Sequence, residues 1–212
     1  MSPRAHSFVD AIAAYVPGEA ALDGVAEPAR LAANESAYGP SPAAVAAHEA
    51  AAAEFARYPD PDCAALRAAI GARYGLDPAR IVCGAGSDEM ITLLCRAYAG
   101  PGDQVLHSRH GFLMYPIAAA GVGAEAVAAP ETDLRADVDA LLAAAGPATK
   151  LCFLAYPTTP PGSYLPAAEV ERLRDGLPAD CLLVLDAAYA EYVTVNDYDD
   201  GFRLATQRDD VV

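Results

Sequence analysis

The 212-residue sequence predicts an α/β fold, three layers with helices on both faces of a mostly parallel sheet. Two observations predict it. From Ile81 onward, short apolar runs alternate with helix-length segments, the pattern of strand–helix–strand units. The run Leu182-Leu183-Val184-Leu185 is continuous rather than alternating, as in a strand buried on both faces. With 54% apolar residues, the chain can build the core that such a sheet needs.

The elements follow in order. Residues 1–40 read as an irregular N-terminal arm, punctuated by Pro17-Gly18, Pro28 and Gly39-Pro40, with room for a short helix over 8–15. Residues 41–212 read as one domain. Ser41 caps a helix that has Pro42 at its first position and runs to about residue 57. The loop Tyr58-Pro59-Asp60-Pro61 leads to a helix over 62–74, stopped by Gly75. Strands are expected at 80–83, 104–107, 122–128, 150–155 and 181–186, with helices at 87–99, 111–120, 134–145 and 166–175. Met90, Leu93, Leu94 and Ala97 form the apolar face of the 87–99 helix.

The net charge of −15 argues against nucleic acid and anionic membrane surfaces, and its plain meaning is solubility. No stretch approaches the ~20 apolar residues of a membrane helix. Residues 1–10 lack the layout of a signal peptide. Cys63, Cys83, Cys95, Cys152 and Cys181 are odd in number, lack metal-ligand spacing and sit among apolar neighbours. They read as buried free thiols in a reducing cytoplasm. The histidines at 6, 48, 107 and 110 form no ligand set with them, so no metal is expected.

Four segments carry chemistry. Asp186 ends an inner strand, and ligands of open α/β sheets sit beyond the carboxyl ends of strands. A carboxylate there, with the Tyr189 phenol one turn on, suits a ring bearing a basic nitrogen and a phenolic oxygen, such as pyridoxal phosphate. The alternative is that Asp186 caps the next segment and Tyr189 packs. Gly84-Ala85-Gly86-Ser87-Asp88 joins a strand to a helix whose first amides and serine hydroxyl can face an anion. Equally, it is an ordinary turn with Ser87 or Asp88 as N-cap. Phe112 opens a helix at the same edge, either as a stacking platform or as core. Tyr156-Pro157-Thr158-Thr159-Pro160-Pro161-Gly162 is a stiff turn at a strand end, able to present the Thr159 hydroxyl.

In this order, the segments resemble the fold-type I pyridoxal-phosphate aminotransferases, and within them most closely the histidinol-phosphate branch of histidine biosynthesis. The resemblance runs through Tyr15-Val16-Pro17-Gly18, Ala33-Asn34-Glu35-Ser36, Tyr58-Pro59-Asp60, Gly86-Ser87-Asp88-Glu89, Phe112-Leu113-Met114-Tyr115, the 157–162 turn and Asp186-Ala187-Ala188-Tyr189. It implies the large cofactor-binding domain of that fold, a homodimer, and transamination between histidinol phosphate and 2-oxoglutarate, giving glutamate. By resemblance, Gly86, Ser87 and Asp88 hold the cofactor phosphate, Phe112 stacks on its ring, Asp186 pairs with its nitrogen, and Tyr189 and Thr159 face its ring oxygen. Tyr58 reaches the partner subunit's cofactor, and Tyr15, Asn34 and Glu35 border the substrate.

Two departures stand out. The family has asparagines where this chain has Tyr156 and Thr159, and a threonine hydroxyl is shorter than an amide. The family's Schiff-base lysine follows a strand that here begins at Asp210-Val211-Val212, whereas the single lysine, Lys150, precedes an inner strand at the opposite end of the sheet. The expectation is an incomplete large domain without the small C-terminal domain or the catalytic lysine. The alternatives are another fold-type I amino-acid aminotransferase, a threonine-phosphate decarboxylase, or an inactive binding module.

Overall fold

The computed structural model describes residues 4, 6–12, 23–26, 34–36 and 38–212. They fall into two compact units, Met1–Ile12 with Ala65–Val212, and Ala13–Ala64. In the smaller unit, α1 (Pro42–Ala51) starts as the sequence predicts: Pro42 takes the first position and the Ser41 hydroxyl accepts from the Ala44 amide at 3.1 Å. The α-helix gives way to a 3₁₀ turn at Ala52–Glu54, short of the expected residue 57. The Asp60 carboxylate accepts from the amides of Asp62 and Ala64, so α2 (Ala64–Tyr74) begins two residues later than expected. Gly75, at φ +70°, ends it in the left-handed conformation that glycine adopts freely.

The larger unit carries α2 from Ala65 onward, α3 (Ser87–Tyr98), β1 (Gln104–Ser108), α4 (Met114–Gly121), β2 (Glu125–Ala129), the short β3 (Glu131–Thr132) and β4 (Arg135–Ala136), α5 (Val138–Ala144), β5 (Thr149–Ala155), α6 (Ala167–Gly176), β6 (Leu182–Asp186) and α7 (Phe202–Gln207). Four strands form a parallel sheet in the order β2-β1-β5-β6. Next to β6, Val211 bridges Leu183 in parallel, and the amides of Leu183 and Leu185 donate to Asp210 and Val212. The strand expected to begin at Asp210 is therefore already pairing.

Alternation along the inner strands sorts their side chains onto two cores. Leu151, Phe153, Val105 and Val184 pack on one face with Ile91 and Cys95 of α3 and Tyr115, Ala118 and Ala119 of α4. Leu106, Cys152, Leu154 and Leu183 pack on the other with Val138 and Leu141 of α5 and Val170 and Leu173 of α6. This double burial is why the strands read as unbroken apolar runs, and each such leucine or valine contributes roughly 1.5–3 kcal/mol. At the amino end of the sheet, the buried Arg174 guanidinium donates to the carbonyls of Cys181, Leu177 and Pro178, and its Nε lies 3.3 Å from the Asp210 carboxylate. It ties α6 to the start of β6 and to the strand beyond.

Several expectations need correction. Residues 80–83 form no strand. Pro78–Arg80 is a 3₁₀ turn, Ile81 is extended, and Val82 is 78% exposed, because the segment has no ladder partner among the described residues. The helix expected from 111 starts at Met114. Pro116 has no N–H to donate, so it is tolerated only within the first turn. Residues 131–136 make a hairpin turned by Asp133 (φ +51°) and Leu134 (φ +58°), which delays α5 to its Asp137 cap. The buried stripe of α3 is Ile91 and Cys95, flanked by Leu94, whereas Leu93 and Ala97 face outward. Cys95, Cys152 and Cys181 are buried as expected, but Cys63 and Cys83 are only half-buried. Over 8–15, the described residues form a 3₁₀ turn at Val9–Ala11, and the rest of that expected helix lies mostly outside the described residues.

Candidate active site

The carboxyl edge of the sheet is organised around Asp186. As the last residue of β6, it is fixed by its backbone: its carbonyl accepts from the Tyr156 amide at 2.8 Å, extending the β5–β6 ladder to its end. Its side chain, half-buried, accepts at Oδ2 from the Tyr115 hydroxyl at 2.8 Å. Tyr115 lies in the first turn of α4, fully buried. Its ring stacks on Phe153 of β5 (4.7 Å, 9° between planes) and meets Phe112 edge-on at 5.9 Å and 86°. Burial, reinforced by the Asp186 charge beside it, pushes the phenol far above its ordinary range, so it remains a donor.

Phe112 is thus joined to Asp186 through Tyr115. It stands one residue before the N-cap of α4, half-buried against the same core. Sequence reasoning missed Tyr115, although its spacing of three from Phe112 places both within one turn.

Thr159 and Tyr189 each follow the carboxyl end of a strand. Thr159 is half-buried in the turn after β5, which is closed by Thr158 and Ser163 (2.7 Å) and by Gly162 and Thr158 (2.7 Å), with cis peptides at Tyr156-Pro157 and Thr159-Pro160. The Tyr198 hydroxyl donates to the Tyr156 carbonyl at 2.9 Å, and the two rings lie 4.5 Å apart. Tyr189 is half-buried three residues beyond Asp186, where it caps a 3₁₀ turn at Ala190–Tyr192.

At α3, the N-cap is Gly86 rather than Ser87 or Asp88, at φ +85° and ψ 177°. No side chain caps the helix, and Ser87 and Asp88, exposed in its first turn, present their amides at the positive end of the helix dipole. Glu89 reaches back to accept from the Ala85 amide at 2.6 Å. The buried face of α3 joins the core that holds Tyr115 and Phe153.

Other expected residues lie elsewhere. Asn34, Glu35 and Tyr58 belong to the smaller unit, where all three are exposed, and Tyr15 is outside the described residues. Lys150 stands at the amino end of β5, paired with the Asp180 carboxylate, which raises its pKa, and 3.3 Å from the Pro147 carbonyl. That is the edge opposite Asp186.

The carboxyl edge also holds a polar pair that no sequence pattern singles out. Glu131 accepts from the His110 amide at 2.9 Å and pairs with its Nδ1 at 2.8 Å. Burial alone would raise the Glu131 pKa, but hydrogen bonds from His110 and Ser108 outweigh it and hold the carboxyl below its usual range. Burial lowers the pKa of the neighbouring His107, so its ring is held neutral, with Nδ1 2.8 Å from the Ser108 carbonyl. Among the described residues, no cluster of histidine, cysteine or acidic side chains could hold a metal ion, and no helix is long and apolar enough to cross a membrane.

The donor set is specific in its chemistry. A carboxylate with one oxygen engaged by a phenol can accept a ring N–H at the other, a flat aromatic packs on that phenol's ring, and an uncapped helix N-terminus can take a phosphate. The family model for class I and II aminotransferases matches residues 27–209. The chain is 61% identical over 198 residues to a histidinol-phosphate aminotransferase of Paramagnetospirillum magneticum, covering 93% of this chain and 54% of that protein. With its counterpart from Rhodospirillum rubrum the identity is 56% over 210 residues, covering 99% and 57%. The chain spans about half the length of the curated relatives it matches. Among solved structures, histidinol-phosphate aminotransferase from Sinorhizobium meliloti in complex with pyridoxal-5'-phosphate superposes with a TM-score of 0.75 at 36% identity, covering 79% of this chain and 46% of that one.

Proposed function

The chain belongs to the class I and II aminotransferase family, and from that premise we propose that the protein transfers the amino group of L-histidinol phosphate to 2-oxoglutarate, using pyridoxal phosphate at the carboxyl edge of the sheet. The observation that carries this reading is the Asp186 carboxylate, fixed at the end of β6 by Tyr115 with Phe112 beside it. That donor set fits the cofactor. Bound there, pyridoxal phosphate supplies an electron sink for the substrate's α-carbon.

The chain's own residues bind and orient. The Asp186 carboxylate pairs with the ring nitrogen and keeps it protonated, while Phe112 offers the ring a flat apolar face. The amides and hydroxyl at Gly86, Ser87 and Asp88 take the phosphate. Tyr189 donates to the ring oxygen, and Thr159 offers it a hydroxyl where the family has an amide. Tyr15, Asn34 and Glu35 border the substrate. The proton-moving base is not Lys150, which is held by Asp180 at the far edge. We further propose a cytoplasmic homodimer in which Tyr58 completes the partner's phosphate site. Five free cysteines support a reducing compartment.

The test is a donor panel with the intact protein, pyridoxal phosphate and 2-oxoglutarate, following glutamate formation. Histidinol phosphate should give the highest kcat/KM. Rapid turnover of an aromatic amino acid with none of histidinol phosphate would overturn the substrate assignment.

A further inference from the structure

We infer that Tyr115 is a positioning residue for the cofactor's ring nitrogen: it occupies Asp186 Oδ2 and so directs Oδ1 to the ring. The inference rests on the cofactor reading above.

The geometry supports it at both ends. The Asp186 main chain is locked by the Tyr156 amide, leaving only the side-chain torsions free. The Tyr115 hydroxyl, at 2.8 Å, removes that freedom. Tyr115 cannot follow a moving carboxylate, because its ring is clamped between Phe153 in parallel stacking and Phe112 edge-on, with no solvent exposure. Three elements therefore converge on one oxygen: α4 carries the donor, β5 the ring that holds it flat, and β6 the acceptor. A phenol suits the place because an ionised carboxylate only accepts, and this hydroxyl has its single proton to give. Among the described residues, the charge that acts on Tyr115 is that of Asp186. Tyr115 and Asp186 face each other directly, and His107 of β1, its ring 6.2 Å from Tyr115, is kept neutral by burial. A purely structural phenol would need only some buried acceptor. This one takes one oxygen of the carboxylate that the cofactor reading requires and does not engage the other.

The substitution that isolates the hydroxyl is Tyr115→Phe, which keeps both ring contacts. The intact cofactor-free protein is titrated with pyridoxal phosphate and with its carbocyclic analogue, in which the ring nitrogen is replaced by C–H. The unsubstituted protein should prefer pyridoxal phosphate. If it binds both equally, Asp186 does not read the ring nitrogen and the cofactor reading itself falls. Given that preference, Tyr115→Phe should weaken pyridoxal phosphate about tenfold, the loss of one hydrogen bond to a charged group. Its affinity for the analogue should not change. Equal weakening of both ligands, or an undiminished preference for pyridoxal phosphate, would overturn the positioning role while leaving the cofactor reading intact. A thermal melt of the cofactor-free variant separates any loss of folding from these outcomes.

Discussion

At the scale of single residues, charge placed by burial decides the chemistry. Asp186 is held from two sides, by the Tyr156 amide on its carbonyl and by the Tyr115 hydroxyl on its carboxylate. Replacing it by asparagine preserves the shape and removes the charge on which the proposed pairing with the ring nitrogen depends. Asp186→Asn should therefore lower kcat/KM by about two orders of magnitude, ~3 kcal/mol of transition-state stabilisation, with a nearly unchanged melting temperature. Glu131 gives the pH dependence. Its folded pKa is depressed, chiefly by the His110 hydrogen bonds that overcome burial. Its contribution to stability is thus fully present above the unfolded value of about 4.3 and is lost as pH falls through the folded one. Urea unfolding of the parent and of Glu131→Gln should show a stability gap at neutral pH that closes in acid. A gap that widens in acid would reverse the assigned sign.

At the scale of elements, the turn into α3 is the most exposed to test. Gly86 combines φ +85° with ψ 177°, a region almost reserved for glycine, and a Cβ there would meet no atom within 4 Å. The cost of Gly86→Ala is then purely one of backbone conformation, about 1–3 kcal/mol in urea unfolding. It should be accompanied by weaker binding of the cofactor phosphate. This scale also divides what was legible from what was not. The inner strands were readable because burial on both faces leaves few polar positions, so the Leu182–Asp186 strand and its terminal acid stand out in one dimension. Residues 80–83 look like a strand for the same local reason, yet pairing depends on a neighbour that local sequence does not reveal. The β3–β4 hairpin was hidden because its turn uses Asp133-Leu134 instead of the expected Asn-Gly or Asp-Gly. On α3, the stripes through Met90 and through Ile91 fit a helical period about equally well, and only the packing of Cys95 chooses between them. In the candidate site, the positions of Thr159, Asp186 and Tyr189 at or just beyond strand ends were legible from topology. Tyr115 was not, because its role is a contact with Asp186 across 71 residues of sequence.

At the scale of the whole molecule, the parallel sheet gathers chemistry from separated segments onto one edge and leaves Lys150 on the other. The proposed homodimer adds Tyr58, whose side chain is fully exposed in the smaller unit. An exposed phenol contributes little to its own subunit's core. Tyr58→Phe should therefore leave the melting temperature unchanged and weaken cofactor retention roughly tenfold, since it removes one hydrogen bond to a charged phosphate. Lost stability with unchanged cofactor affinity would mean that Tyr58 serves its own subunit instead. A crystal structure of the intact protein grown with the cofactor would show whether the carboxyl-edge cluster around Asp186 is the pyridoxal phosphate site. The ring nitrogen should lie about 3 Å from Asp186 Oδ1, with the ring against Phe112 and the phosphate at the amides of Ser87 and Asp88. A cofactor bound with its nitrogen turned away from Asp186, or seated anywhere but this edge, would contradict that assignment.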